Sequence, residues 1–324
     1  MKLSALLIIV FLSYSNLSQA GHHRSERNSF SVSIHSFSKH SSKNETIPFN
    51  TLGIFVLPNE RFILQVETNK PSVPVKFRAE QGKTRQLAQQ QWQWQAPDKP
   101  GLTTLRLTHP ISKETTELNV FVMVPAAKVK NGVLNGYQIG TYPRLPFKNM
   151  TTYETPQGFI EVTETNQATK VSPHFTIGEF LSHQKSGFPK YLVLRERLLL
   201  KLEHIIETLY NKHFPVDSLH IMSGYRTPWY NKSLGQGPYS QHIYGGAADI
   251  YIDVNPKDGY MDDLNKDGKR DYQDAKVLID IIEEMEGQSL YNKFVGGLAR
   301  YRKTPHHGPF VHIDERGYKA RWND

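Results

Sequence analysis

Residues 240–254 read SQHIYGGAADIYIDV, and the second half of that stretch alternates in a way that predicts a strand. In an extended chain, neighbouring side chains point to opposite faces. Ile250, Ile252 and Val254 therefore form one apolar row facing a core, while Asp249, Tyr251 and Asp253 line the solvent or cleft face. Gly245 and Gly246 lie just ahead and permit a sharp bend, so His242 can return to the point where Asp249 begins the strand. An apolar strand face needs a partner, and YLVLRERLLLKLEHIIETLYNKHF (191–214) offers one. Leu194, Leu198, Leu202, Ile205 and Leu209 recur there at helical spacing, joined by Leu199 and Ile206. SLHIMS (218–223) and FVHID (310–314) read as further short strands and AKVLIDIIEEM (275–285) as a second helix, so residues 172–324 predict an α+β unit.

Upstream the period changes to two. Phe62, Leu64 and Val66 form one alternating set, Val73, Val75 and Phe77 a second, and Leu118, Val120, Val122 and Val124 a third, with turn clusters such as APDKPG (96–101) between them. Residues 48–125 therefore predict a small all-β, sandwich-like domain. Trp92 and Trp94 share one strand face. They suit stacking on sugar or core packing, and core packing is the reading preferred here. Residues 126–171, rich in Pro, Gly and Tyr, predict an extended connector. Residues 21–47, rich in Ser and carrying His22, His23, His35 and His40, predict a flexible tail. The first 20 residues, MKLSALLIIVFLSYSNLSQA, combine Lys2, an apolar run and Ser18-Gln19-Ala20, the pattern of a cleaved export signal. A periplasmic or otherwise extracytoplasmic location is expected, with no integral membrane segment in the mature chain.

Composition narrows the chemistry. With Cys 0 the chain has no disulfides or thiolate ligands, which leaves His, Asp and Glu as the strong metal donors. A formal net charge of +8 suits work near a polyanion such as a cell wall or membrane surface, or simply aids solubility. No basic run is interleaved with aromatics, so nucleic acid is not expected as a partner. His242 and Asp249 are a borderline-hard pair suited to Zn²⁺, and His312 in FVHID is the third candidate because Phe310, His312 and Asp314 share a strand face. Two imidazoles and one carboxylate leave one tetrahedral position for water, the mark of a catalytic zinc. The competing reading is that both histidines are hydrogen-bonded core residues.

SGYRTPWYN (223–231), SQHIYGGAAD (240–249) and FVHIDERGYKARW (310–322), in that order, resemble the signatures of bacterial zinc metallopeptidases related to the D-alanyl-D-alanine carboxypeptidases. The likeness is closest to the murein endopeptidase K (YcbK-like) branch, and VSPHFTIGEFL (171–181) is similar to the opening segment of that group. The resemblance covers roughly the last 150 residues. It implies a hedgehog/D-Ala-D-Ala-peptidase-like fold, zinc on His242, Asp249 and His312, and peptidoglycan stem peptides or cross-links as substrate. Within it, Arg226 is expected to hold a substrate carboxylate or the developing oxyanion. Relatives place a Glu or His three positions before the last ligand, where this chain has Pro309. Asp314 is accordingly the expected base or the support behind a ligand, with His306 and His307 as rivals. GGLARYRKTPHHGPF (296–310) also departs from the pattern of relatives. A peptidoglycan-binding protein that keeps the metal without turnover is therefore the alternative, and a calcium-stabilised adhesion scaffold a third reading.

DLNKDGKRDYQD (263–274) matches a twelve-residue calcium loop. Asp263, Asn265, Asp267, Asp271 and Asp274 fall at liganding offsets, Gly268 at the turn, and Lys269 where a backbone carbonyl is used. Ca²⁺ is thus the second expected metal, in a structural or regulatory role. The bland reading is an acidic surface turn.

Overall fold

The computed structural model describes residues 27–36, 44–68, 73–288 and 291–323, and the expected export signal lies outside them. Strands dominate and helices are few, in a mixed α+β arrangement. Among the described residues no helix is long and apolar enough to cross a membrane.

The N-terminal half is built from β1 (Arg27–Ser36), β2 (Asn44–Phe49), β3 (Thr51–Val56), β4 (Arg61–Thr68), β5 (Lys76–Ala79), β6 (Lys83–Ala88), β7 (Gln91–Gln95), β8 (Gly101–Thr108) and β9 (Thr115–Val122). They form one sheet ordered β2-β1-β4-β7-β6 and another ordered β3-β9-β8-β5. The alternating rows decide which faces are buried. Phe62, Leu64, Val66, Trp92 and Trp94 line the inner side of the first sheet and Leu105, Leu107, Leu118 and Val120 that of the second. Phe77 bridges the two, its ring 5.3 Å from that of Trp92. Both tryptophans are thus core residues.

Part of the tail expected over 21–47 is folded. Its residues 27–36 and 44–47 enter β1 and β2, which pair with Val32 opposite Ile47. Phe30, Val32, Ile34 and Ile47 are buried, so the period of two inside a Ser-rich run outweighs its polar composition. His35 lies on β1, while His22, His23 and His40 fall outside the described residues.

The connector is likewise folded. After β10 (Val124–Pro125) it contributes the hairpin of β11 (Val133–Leu134) and β12 (Tyr137–Gln138), two short 3-10 turns over 147–153, and β13 (Gly158–Val162). β13 pairs with β14 (Lys190–Leu192), so the stretch is bound into the C-terminal half.

That half continues with α1 (Glu196–Asn211), β15 (His220–Ser223), α2 (Pro228–Ser233), β16 (Ala247–Tyr251), α3 (Tyr272–Glu284), β17 (Gly297–Tyr301), β18 (Phe310–Asp314) and β19 (Ala320–Asn323). The helix expected from Tyr191 starts at Glu196 because the chain before it is spent on β14. Its apolar stripe Leu198, Leu202, Ile205 and Leu209 is buried as the spacing requires. The sheet order is β15-β16-β18-β17-β19, which puts β16 and β18 next to each other in its interior. All five residues of β16 are buried, so Asp249 is an interior residue and not on an open face. The two halves meet along the outer edge of β3. Gly53 donates its N–H to the carbonyl of Val171 at 2.7 Å and Phe55 donates to Glu196 Oε1 at 3.0 Å, so an otherwise open sheet edge is capped.

Candidate metal centre

Two of the three donors are brought together by strand register. β16 and β18 run antiparallel with Asp249 opposite His312, so two residues far apart in sequence project from neighbouring backbones onto one face. His242 arrives from a 3-10 turn over Gln241–Tyr244 that ends at Gly245 in the left-handed conformation, φ 68°. A Cβ at Gly245 would stand 2.4 Å from the carbonyl oxygen of Val193, so no larger residue closes this turn as it stands.

The ligand atoms converge. Asp249 Oδ1 lies 2.8 Å from His312 Nδ1 and 3.2 Å from His242 Nε2, and the two ring nitrogens are 3.2 Å apart. His242, Asp249 and His312 are all buried, and among the described residues they form the only group of three or more His, Asp or Glu side chains gathered closely enough to hold a metal ion. The outward-facing nitrogen of His242 fixes its tautomer. His242 Nδ1 is 2.7 Å from the carbonyl of Gly224, which can only accept, so the ring proton of a neutral His242 sits there. His312 faces a carboxylate on each side, Asp249 Oδ1 at 2.8 Å from Nδ1 and Asp314 Oδ2 at 3.1 Å from Nε2, and a ring protonated at both nitrogens donates to both. His242 Nε2 then turns its lone pair toward His312 Nδ1 and Asp249 Oδ1. The cluster therefore accommodates one positive charge, either the proton on His312 Nδ1 or a cation in its place.

The titration shifts agree. Burial penalises the ionised Asp249, yet His242 and then His312 outweigh it and hold the carboxyl well below the usual carboxylate range. Burial lowers the pKa of His242, helped by the positive Arg226 and His312 and opposed by Asp249. Burial also disfavours charge on His312, but hydrogen bonds with Asp249 and Asp314 prevail and raise its pKa. A cation that displaced the proton on His312 Nδ1 would meet two imidazole nitrogens and one firmly ionised carboxylate, the donor set of a zinc centre.

Asp314 lies behind His312 rather than beside the cluster, bonded to the ring nitrogen opposite the one that faces Asp249. It is fully buried and accepts from Gly297 N–H at 2.6 Å and from Arg316 Nη2 at 2.5 Å. With His312 and Arg316 opposing the effect of burial, its pKa falls far below normal. Of the two roles expected for it, this position suits the support of a ligand and not proton transfer. His306 is exposed and His307 half-buried on the β17–β18 turn. Arg226 adjoins the cluster, paired through Nη2 with Asp249 Oδ2 and donating from Nε to Ser223 Oγ at 2.8 Å.

Sequence reasoning missed the Gly224 carbonyl that orients His242, Arg316 that fixes Asp314, and Trp322, whose ring lies 5.2 Å from that of His312. Gly296 and Gly297 carried a signal. A Cβ at Gly297 would fall 2.3 Å from Asp314 Oδ2, so the double glycine leaves room for that carboxylate.

The loop at 263–274 gathers no comparable set, and nothing here supports calcium. Asp263 accepts from the N–H groups of Asp267 and Gly268, Asn265 from Asp267, and Asp267 from Lys269. Asp271 caps α3 by accepting from Gln273 N–H. Asp274, expected as the last ligand, is instead fully buried and accepts from the N–H groups of Leu264, Asn265 and Asp271. Asp274, one of the six expected ligands, thus serves the capping box of α3.

No curated protein matches the chain. Residues 173–267, which include Arg226, His242 and Asp249 but end before His312, match the family model described as Peptidase M15, a match that supports a zinc-dependent metallopeptidase.

Proposed function

We propose that the chain is an exported zinc-dependent hydrolase of peptide bonds in peptidoglycan stem peptides or cross-links. The observation that carries this reading is the convergence of His242 Nε2, Asp249 Oδ1 and His312 Nδ1, three potential ligand atoms, around one point. A zinc ion held by these three residues supplies a Lewis acid and an acidified water. The chain's own residues set the rest. Gly224 and Asp314 fix the ring orientations, and Arg226 keeps the outer oxygen of Asp249 engaged beside the place where a substrate carboxylate or oxyanion needs a cation. The Peptidase M15 match supports the bond class. The surplus of basic residues and the N-terminal export signature support an anionic wall substrate outside the cytoplasm.

A second reading, a wall-binding protein without turnover, is favoured by two facts. Pro309 occupies the position where a base is expected, and Asp314 is locked to Arg316. Digestion of purified peptidoglycan by zinc-loaded protein, with fragments identified by mass, separates the two. Released peptides that vanish in His242→Ala support the hydrolase. Sedimentation with the wall and no fragments leaves the binding protein.

A further inference from the structure

Tyr142 belongs to the connector, outside the residues that match the family model, yet its hydroxyl reaches the turn that bears His242. It donates to the carbonyl of Ile243 at 2.9 Å. Its single hydrogen is spent there, so it meets the Tyr225 hydroxyl, 3.0 Å away, as the acceptor. Burial pushes the Tyr142 pKa far above that of a free phenol, with the Tyr225 bond opposing, so the donor stays protonated. Its ring packs 5.8 Å from that of Tyr244, at the end of the same turn. From the other side, Arg226 N–H donates to the carbonyl of His242 at 3.2 Å. The consecutive carbonyls of His242 and Ile243 are thus each held, the second of them from the connector.

Thr152 supplies a further hold. Its carbonyl accepts from Gln241 Nε2 at 3.2 Å and from Arg195 Nη2 at 2.6 Å. Arg195 Nε donates in turn to the carbonyl of Tyr244 at 3.0 Å. Three of the four residues of the turn, Gln241, Ile243 and Tyr244, are therefore fastened directly or through Arg195 to residues 142–152.

We infer that the connector is a working part of the metal centre, with Tyr142 a positioning residue that sets His242 Nε2 through the Ile243 carbonyl. The inference rests on the reading of His242 as a zinc ligand. Mere packing of the connector would lower stability without changing affinity for zinc.

The test is zinc affinity of the full chain, by competition with a chromophoric chelator well below the unfolding temperature. Tyr142→Phe keeps the ring and is expected to weaken affinity about tenfold, the lower end of the loss when a ligand's support is removed. Gln241→Met, which removes the side-chain bond to Thr152, is expected to weaken it in the same direction and keeps the test alive if Tyr142→Phe fails to fold. Tyr225→Phe leaves the Ile243 bond intact and is expected to leave affinity unchanged. Leu107→Ala, in the β-rich half, is expected to lower the thermal midpoint with affinity unchanged. Wild-type affinity in both Tyr142→Phe and Gln241→Met, or an equal loss in Leu107→Ala, overturns the inference while leaving the zinc reading standing. A wild-type chain that binds no zinc overturns both.

Discussion

Asp249 and His312 stand opposite each other on adjacent antiparallel strands, and Asp249 Oδ1 lies 2.8 Å from His312 Nδ1. The pair is a consequence of register. A one-residue slip of β18 would turn His312 to the other face of the sheet and bring Val311 or Ile313 to the cluster. Substituting either member should therefore remove stoichiometric zinc while leaving the fold intact. Asp249→Asn and His312→Ala, purified with zinc and measured by elemental analysis, are expected to lose the ion with little change in circular dichroism. Full retention in both would end the metal reading.

Asp314 provides a sharper test, because it supports without ligating. Asp314→Asn keeps the shape but removes the negative charge behind His312 and beside Arg316. Zinc affinity is expected to fall by about 10–100-fold. Losing the partner of a largely buried guanidinium is expected to cost about 3 kcal/mol of stability, read by urea unfolding. A variant of normal affinity that loses only turnover would restore Asp314 as a base.

Lys201 on α1 gives a prediction in pH. Its ammonium is buried, donating to the carbonyls of Phe294 and Asp314 at 3.1 and 2.7 Å. Burial lowers its pKa to about 8, even though Asp314 and Glu315 oppose that shift. Between that value and the 10.5 of an ordinary lysine the unfolded chain holds the extra proton, so this group makes stability rise with pH. The gain is on the order of 3 kcal/mol and is complete above the unfolded pKa. Below about pH 8 both states are protonated and the slope from this group disappears. Lys201→Met should flatten the curve over that window, as measured by urea unfolding at several pH values. An identical slope in wild type and variant would refute the assignment.

The acidic loop should behave as a helix start. Asp274→Ala strips the acceptor from three backbone N–H groups and is expected to cost about 1–2 kcal/mol. The loss should be the same with and without added calcium in a thermal melt. A wild-type midpoint that climbs with calcium, and a variant that does not respond, would reinstate the calcium site.

Gly245→Ala should disturb the centre through the backbone alone. Its φ of 68° and the 2.4 Å approach to Val193 demand a shift of the turn that presents His242. A loss of zinc affinity with a stability cost of about 1–3 kcal/mol is expected. Unchanged affinity would show that the turn tolerates the shift.

Much of this was legible along the chain because it is local. The period of two in the β-rich half, the helical spacing of Leu198, Leu202, Ile205 and Leu209, and the strands FVHID and HIMS depend on neighbours a few residues apart. The His242, Asp249 and His312 set was legible too, since the glycine bend and the alternating strand constrain which side chains share a face. Other features were hidden because their partners are distant. Asp314 had two roles until Arg316, Gly297 and the far nitrogen of His312 claimed its oxygens. The offsets of 263–274 suit calcium, and nothing in them shows that Asp271 and Asp274 form the capping box of α3. A Ser-rich stretch read by composition as a tail joined a sheet because Phe30, Val32 and Ile34 found Leu64 and Val66 to pack beside.

The sequence by itself determined which residue types could bind a cation, since a chain without cysteine has only imidazole and carboxylate to offer, and it determined the strand and helix periods that present them. Only the tertiary structure decided which nitrogen of each imidazole faces inward, which acid ligates and which stands behind, and that Tyr142 grips the His242 turn from 101 residues away. Periodicity is a property of adjacent residues. Hydrogen-bond direction depends on what stands on the other side, and that is known only when the chain has closed on itself.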